Sequence, residues 1–301
     1  MKILLFGATG QVGTELHRQL AALGEVIATT RSGVLPGGDA CERADFDAPQ
    51  ILAPLIDRIA PDIVVNAAAY TAVDRAEDDV GAAYRANAEA PRLLAQACRQ
   101  RDALLVHYST DYVFDGRNNR PYREDDAVAP LGVYGASKLA GEQAIRASGA
   151  RHLIFRTAWV YAAHGSNFMR TMLRLAAERD ELRVVADQFG SPTPAGLIAG
   201  VTSRVLAQSP ARTGTWHLTA AGQASWFEFA QAIMEQAHAA GLLRRLPRVA
   251  PLTTAEYPTR ATRPGYSVLD CSRLQGEFGI RLPHWQDALR DVLAGVAGRR
   301  G

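Results

Sequence analysis

Apolar residues in the first 160 positions fall into two alternating patterns. Ile3–Phe6, Val26–Thr30, Ile63–Ala67, Ala103–Tyr108 and His152–Arg156 are short, largely apolar runs, as strands buried on both faces require. Between them, Val12–Leu23, Ile51–Ile59, Val80–Arg101 and Tyr134–Ala147 carry apolar residues at helical spacing. Strand, helix, strand at this rhythm predicts right-handed crossovers and a doubly wound parallel sheet, an α/β fold. Beyond residue 160 the alternation loosens. Phe168–Glu178 and Phe227–Ala240 read as helices, Thr215–Leu218 as a strand, and prolines crowd 247–264. The expected division is a sheet domain over 1–160 and a smaller lobe over 161–301, with elements around 194–220 able to add to the sheet.

Composition removes several classes. At 48% hydrophobic and 21% charged residues the chain is an ordinary globular one, long enough for a substantial core. A net charge of +2 with no basic run gives nucleic-acid binding little support. Cys41, Cys98 and Cys271 are odd in number, widely spaced and without a C-x-x-C, which reads as reduced cytoplasmic thiols. The apolar start at Met1–Phe6 breaks at Gly7, so it reads as a strand and not a secretion signal. No stretch approaches the roughly 20 apolar residues of a membrane span. The seven histidines show no metal-ligand spacing, and no metal site is expected from them.

Gly7-Ala-Thr-Gly10-Gln-Val-Gly13 sits where the first strand meets the first helix. A helix start offers free N–H groups and a positive dipole end to a pyrophosphate. Glycines there allow the tight turn, the approach of backbone to phosphate and close helix–strand packing. The first domain is therefore expected to be a Rossmann-type dinucleotide-binding domain, and the second lobe to bind substrate. The second strand ends in Thr29-Thr-Arg31 without the acid that would bind a ribose 2′-hydroxyl. Arg31 suits a 2′-phosphate, so NADPH is favoured and NADH is the alternative. Asp45 and Phe46 are placed to flank the adenine, and the small residues of Asn66-Ala-Ala-Ala69 let a cofactor lie against their backbone.

Tyr134 and Lys138, four residues apart, share one helix face. Bringing a phenol from its usual pKa to about 7 takes about 4 kcal/mol, which a close ammonium in a dry cleft can supply. Thr110, at the end of the fourth strand in Ser109-Thr-Asp111, can donate its hydroxyl to a substrate carbonyl. Together these residues resemble the Ser/Thr-Tyr-Lys arrangement of the extended short-chain dehydrogenase/reductase class.

The resemblance is closer than that class. Leu4–Gly13, Val65–Asp74, His107–Phe114, Phe155–Tyr161, Asn167-Phe168, Asp187–Thr193 and Arg263-Pro264, in this order and spacing, are similar to the dTDP-4-dehydrorhamnose reductase family. That resemblance implies NADPH-dependent reduction of the C4 ketone of a dTDP-sugar to dTDP-L-rhamnose, for cell-surface polysaccharides such as O-antigen. It implies cofactor contacts from Gly10, Gln11, Val12, Asp45, Phe46, Ala69, Tyr70, Thr71, Tyr108, Tyr134 and Lys138, and substrate contacts from Thr110, Asp111 and Trp159. Family members are also described as magnesium-bridged dimers held by glutamates. Glu15 fits that description, but Gly196 stands where an acid is expected. That puts Mg2+ in doubt and leaves monomer or homodimer open.

The bland readings keep His107 as a satisfied core group and Asp74, Glu77, Asp78 and Asp79 as a solvated acidic stretch. Arg260 and Arg263 could grip a diphosphate or lie on the surface. Two functional alternatives stay open: a nucleotide-sugar epimerase or dehydratase of the same superfamily, and a non-catalytic regulatory subunit of a methionine adenosyltransferase.

Overall fold

The apolar runs become strands because successive side chains point to opposite faces and both faces are covered. In the computed structural model, which describes residues 1–208 and 211–298, β1 (Lys2–Phe6) sends Ile3 and Leu5 into one core cluster and Leu4 and Phe6 into another. The first half supplies six strands, β1, β2 (Glu25–Thr30), β3 (Glu42–Arg43), β4 (Ile63–Asn66), β5 (Leu104–Thr110) and β6 (His152–Thr157), of which β3 is a short charged edge. A seventh, Gly214–His217, adds in parallel to β6. The sheet order is 214–217, β6, β5, β4, β1, β2, β3, and every pairing is parallel. The chain therefore winds outward in both directions from β1 and β4. A parallel sheet of this order opens a crevice at the carboxyl ends of those strands.

Helix α1 (Gln11–Leu20) covers one face together with the helix Ala195–Ala207, and α2 (Leu52–Ile59) covers the other with 90–101. The expected helix Val80–Arg101 is interrupted. Val80–Tyr84 and Ala90–Arg101 are α-helical, but Arg85–Glu89 forms a π turn. Pro91 has no N–H for the carbonyl of Asn87, and the helix widens to accommodate the loss. The widened turn aims the fully buried Asn87 at its neighbours. Its Oδ1 accepts from Tyr70 N–H at 2.9 Å, and its Nδ2 donates to the Tyr70 carbonyl at 3.0 Å and to Ser137 Oγ at 3.1 Å. One side chain thus ties a loop at the mouth of the crevice to the helix that carries Tyr134.

Residues after 160 build a separate cluster over the crevice. Helices Phe168–Glu178, Trp226–Ala239 and Trp285–Ala297 bury Tyr161, Met169, Phe229, Ile233, Trp285 and Leu289 together. The second of these starts on a reciprocal cap: Ser225 Oγ accepts from Glu228 N–H while Glu228 accepts from Ser225 N–H. Among the described residues no helix is long and apolar enough to cross a membrane.

Candidate active site

The glycine loop shows a different physical need at each glycine. Gly7 adopts φ +78°, and a Cβ there would meet Ala68 N at 2.7 Å, so the turn out of β1 excludes other residues. A Cβ on Gly13 would collide with the Gly7 carbonyl, so Gly13 lets α1 press against the loop. Gly10 stands at the helix N-cap with no side-chain cap, which leaves the first N–H groups of α1 free. Gly7, Gly10, Gln11 and Val12 line a cleft of about 1160 Å³. Ala69, Tyr70, Thr71, Thr110, Tyr134, Lys138 and Trp159 line the same cleft. An uncapped helix start and a glycine cradle at one part of a cleft this size fit a dinucleotide.

Two of the expected cofactor residues, Gly13 and Asp45, are not among the residues that line the cleft. Gly13 packs beneath the loop, because its missing side chain faces the Gly7 carbonyl. Asp45 is held by Arg31, whose Nε lies 3.4 Å from it and whose Nη2 lies 3.5 Å from Asp47. Arg31 is itself exposed at the rim, its guanidinium shared between two carboxylates. Phe46 lines the cleft and packs against Phe6 at 5.8 Å. Tyr108 reaches the cleft with its main chain, since its phenol turns into the core to bond Thr202 Oγ1 at 2.8 Å.

The reactive groups meet at the carboxyl end of β5. Thr110 Oγ1 donates to Asp111 Oδ1 at 3.0 Å and accepts from Tyr112 N–H at 3.1 Å. The Thr110 hydroxyl stands near the Tyr134 phenol, and both residues line the cleft. Tyr112 sets its ring edge-on to Tyr134 at 5.7 Å and 77°, which fixes the phenol's tilt. Helix 133–147 starts where Val133 N–H donates to Glu77 Oε1 at 2.8 Å. Lys138 is buried, and its Nζ donates to the Tyr108 carbonyl at 2.6 Å.

The electrostatics differ from the sequence-based expectation. Tyr134 is not drawn toward neutrality: burial pushes its phenol up to about 12, helped by the nearby Asp111 and opposed only by Thr110. Burial lowers Lys138 to about 8, against the pull of Glu142. In this dry site desolvation is the largest cause at both groups. The result still suits a reduction, because a phenol that keeps its proton is an acid ready to give it. Asp111 is raised to about 6, chiefly by burial, with the nearby Ser267 hydroxyl and the Thr110 bond pulling it back. Its Oδ2 is buried without a hydrogen-bond partner and belongs to a cleft-lining residue, as a contact for a sugar hydroxyl would be.

Trp159 has φ +46°, unusual for so large a residue, and lies flat on Trp226 with ring centroids 3.5 Å apart. A Cβ on Gly190 would enter its indole. Trp226 and Arg263 also line the cleft and were missed or left open by sequence reasoning, since only the fold brings them to it. The acidic stretch proves not to be merely solvated. Asp74 pairs with Arg263 at 2.7 Å, Asp78 with Arg260, and Glu77 caps the Tyr134 helix.

A doubly wound sheet, a glycine cradle at its first crossover and a Thr-Tyr-Lys group at its carboxyl edge define the short-chain dehydrogenase/reductase class. Within that class the chain belongs to the family of the RmlD substrate binding domain, whose model matches residues 1–297. It is 47% identical to a dTDP-4-dehydrorhamnose reductase of Shigella flexneri, over 97% of each chain. A solved dTDP-4-dehydrorhamnose reductase of Bacillus anthracis in complex with NADP superposes with a TM-score of 0.88 at 34% identity, covering 98% of this chain and 99% of that one. A solved dTDP-4-dehydrorhamnose reductase of Clostridium acetobutylicum gives 0.88 at 37% identity, covering 97% and 98%.

Proposed function

We propose that this protein reduces the C4 ketone of dTDP-4-dehydro-L-rhamnose to dTDP-L-rhamnose with NADPH. The observation that carries the reading is the protonated Tyr134, beside Thr110 in a cleft whose other wall fits a dinucleotide. The names of the relatives that span nearly the whole chain supply the substrate.

When bound, a reduced nicotinamide supplies the hydride to the ketone carbon. Gly7, Gly10, Gln11 and Val12 would hold its pyrophosphate, Arg31 its 2′-phosphate, and Ala69, Tyr70 and Thr71 its middle. Thr110 turns the hydroxyl proton it gives to Asp111 onto the ketone oxygen, and Tyr134 gives that oxygen its own proton as negative charge develops there. Lys138, one helical turn away, stabilises the phenolate left behind. Asp111 Oδ2 and the Trp159 face receive the sugar, and the lobe of residues 161–301 takes the nucleotide. Glu15 is already engaged by Arg18 at 2.8 Å and His164 at 3.2 Å, and Gly196 beside it offers no carboxylate. That supports a site without bridging Mg2+ and a monomer or a dimer formed without metal. Three free cysteines support a cytoplasmic location.

The test is net consumption of NADPH on adding freshly generated ketosugar to purified protein. Steady consumption is expected. A protein that instead carries tightly held NAD and shows no net consumption is an epimerase or dehydratase. Arg31→Ala is expected to raise the KM for NADPH about 10–100-fold, the worth of one charge-assisted contact. The KM for NADH should hardly move. Equal effects on both cofactors would remove Arg31 from the 2′-phosphate.

A further inference from the structure

His107 lies fully inside β5, one residue before the carbonyl that holds Lys138, and both of its ring nitrogens are engaged. Asn66, on β4, has its amide orientation fixed: Oδ1 accepts from Ala68 N–H at 3.1 Å, so Nδ2 is the edge turned to His107. Nδ2 lies 3.0 Å from His107 Nδ1 and can only donate, so Nδ1 must be the bare nitrogen. The neutral ring then carries its proton on Nε2, and Nε2 lies 3.4 Å from Lys138 Nζ. An N–H aimed at an ammonium is a poor contact, while the same N–H aimed at a free amine is a hydrogen bond. We propose that His107 is a positioning residue which, set by Asn66, presents Nε2–H to Lys138 and so favours the amine over the ammonium. This rests on the reductase reading above.

The surroundings leave this contact distinct. From its own helix Lys138 is faced by Glu142, but that carboxylate is occupied by Arg156 of β6 and by Arg146. From β5 it meets only His107 and the Tyr108 carbonyl among its hydrogen-bond partners. His107 is faced by Lys138 and, from β6, by His152. Burial first, then Lys138, keeps the His107 ring well below its ordinary value, so it stays neutral while the enzyme works.

Two measurements test this. The nitrogen NMR spectrum of His107 in the wild-type protein should show a bare Nδ1 and a protonated Nε2 throughout pH 6–9, and a protonated Nδ1 would overturn the proposal. Asn66→Asp would turn both side-chain oxygens into acceptors, force the proton to Nδ1 and make Nε2 an acceptor for the ammonium. The alkaline limb of kcat should then move up by about one pH unit. The same substitution in a His107→Phe background should move it less than half as far, because only the added charge remains. Equal shifts in both backgrounds, or none in either, would overturn the role of His107. Should the variants fail to fold, the ring spectrum still decides. Absence of ketosugar turnover in the wild type would count against the reductase reading, and the ring spectrum would then test the His107 geometry alone.

Discussion

Tyr134→Phe is expected to lower kcat by about 10²–10⁴-fold, the usual worth of a positioned general acid. Phenylalanine keeps the ring that Tyr112 braces and removes only the hydroxyl near Thr110, so KM values and the melting temperature should change little. The pH dependence follows from the same electrostatics. Tyr134 sits near 12 and holds its proton across the working range, so its ionisation imposes no limb there. Lys138 sits near 8 and is useful to the phenolate as an ammonium, so wild-type kcat should fall as pH rises through about 8. A Tyr134→Phe enzyme with full turnover would remove the phenol from the chemistry.

The second large effect lies one turn further along the same helix. Glu142 is fully buried, and the nearly buried Arg156 binds it through two bonds, Nε to Oε1 at 2.9 Å and Nη2 to Oε2 at 2.8 Å. Arg156 also stands over the Phe114 ring at 5.2 Å. This pair joins the helix that carries Tyr134 and Lys138 to the sheet. Glu142→Leu strands a guanidinium in the core and should cost about 3–5 kcal/mol, read by denaturant unfolding at pH 7. Removing both charges, as Glu142→Leu with Arg156→Met, should recover much of that, because the pair's mutual attraction mainly offsets its own desolvation. Burial raises the Glu142 carboxyl but Arg156 outweighs it, so its folded pKa lies below its unfolded one. Its contribution is therefore present above the unfolded value and lost as pH falls through the folded one. The gap between wild type and Glu142→Leu should narrow in acid and stay constant from pH 6 to 8. A single variant as stable as wild type at pH 7 would show the pair is dispensable.

Much of this was legible in the sequence because it depends on local pattern. Continuous apolar runs such as Leu4–Phe6 mark strands covered on both faces, and a glycine loop between strand and helix marks a phosphate cradle whatever lies elsewhere. Thr110, Tyr134 and Lys138 were found because strand ends and helix spacing place them predictably. What escaped depends on long-range contact. Nothing local shows that Asp74 reaches Arg263, that Trp226 stacks on Trp159, or that Asn87 joins Tyr70 to Ser137. The π turn was hidden because one proline in a helical pattern does not reveal how the helix will widen. The direction of the Tyr134 shift was missed for a related reason. Spacing shows that a cation lies one turn away, whereas the burial that governs the phenol appears only in three dimensions.

The most direct measurement is the proton NMR spectrum of the nucleotide sugar recovered after the protein has consumed NADPH with dTDP-4-dehydro-L-rhamnose. The account predicts dTDP-L-rhamnose as the single product, one equivalent per NADPH consumed, with a hydrogen and a hydroxyl at C4. Recovery of the unchanged ketone, or of a sugar epimerised at another carbon with NADPH intact, would contradict it.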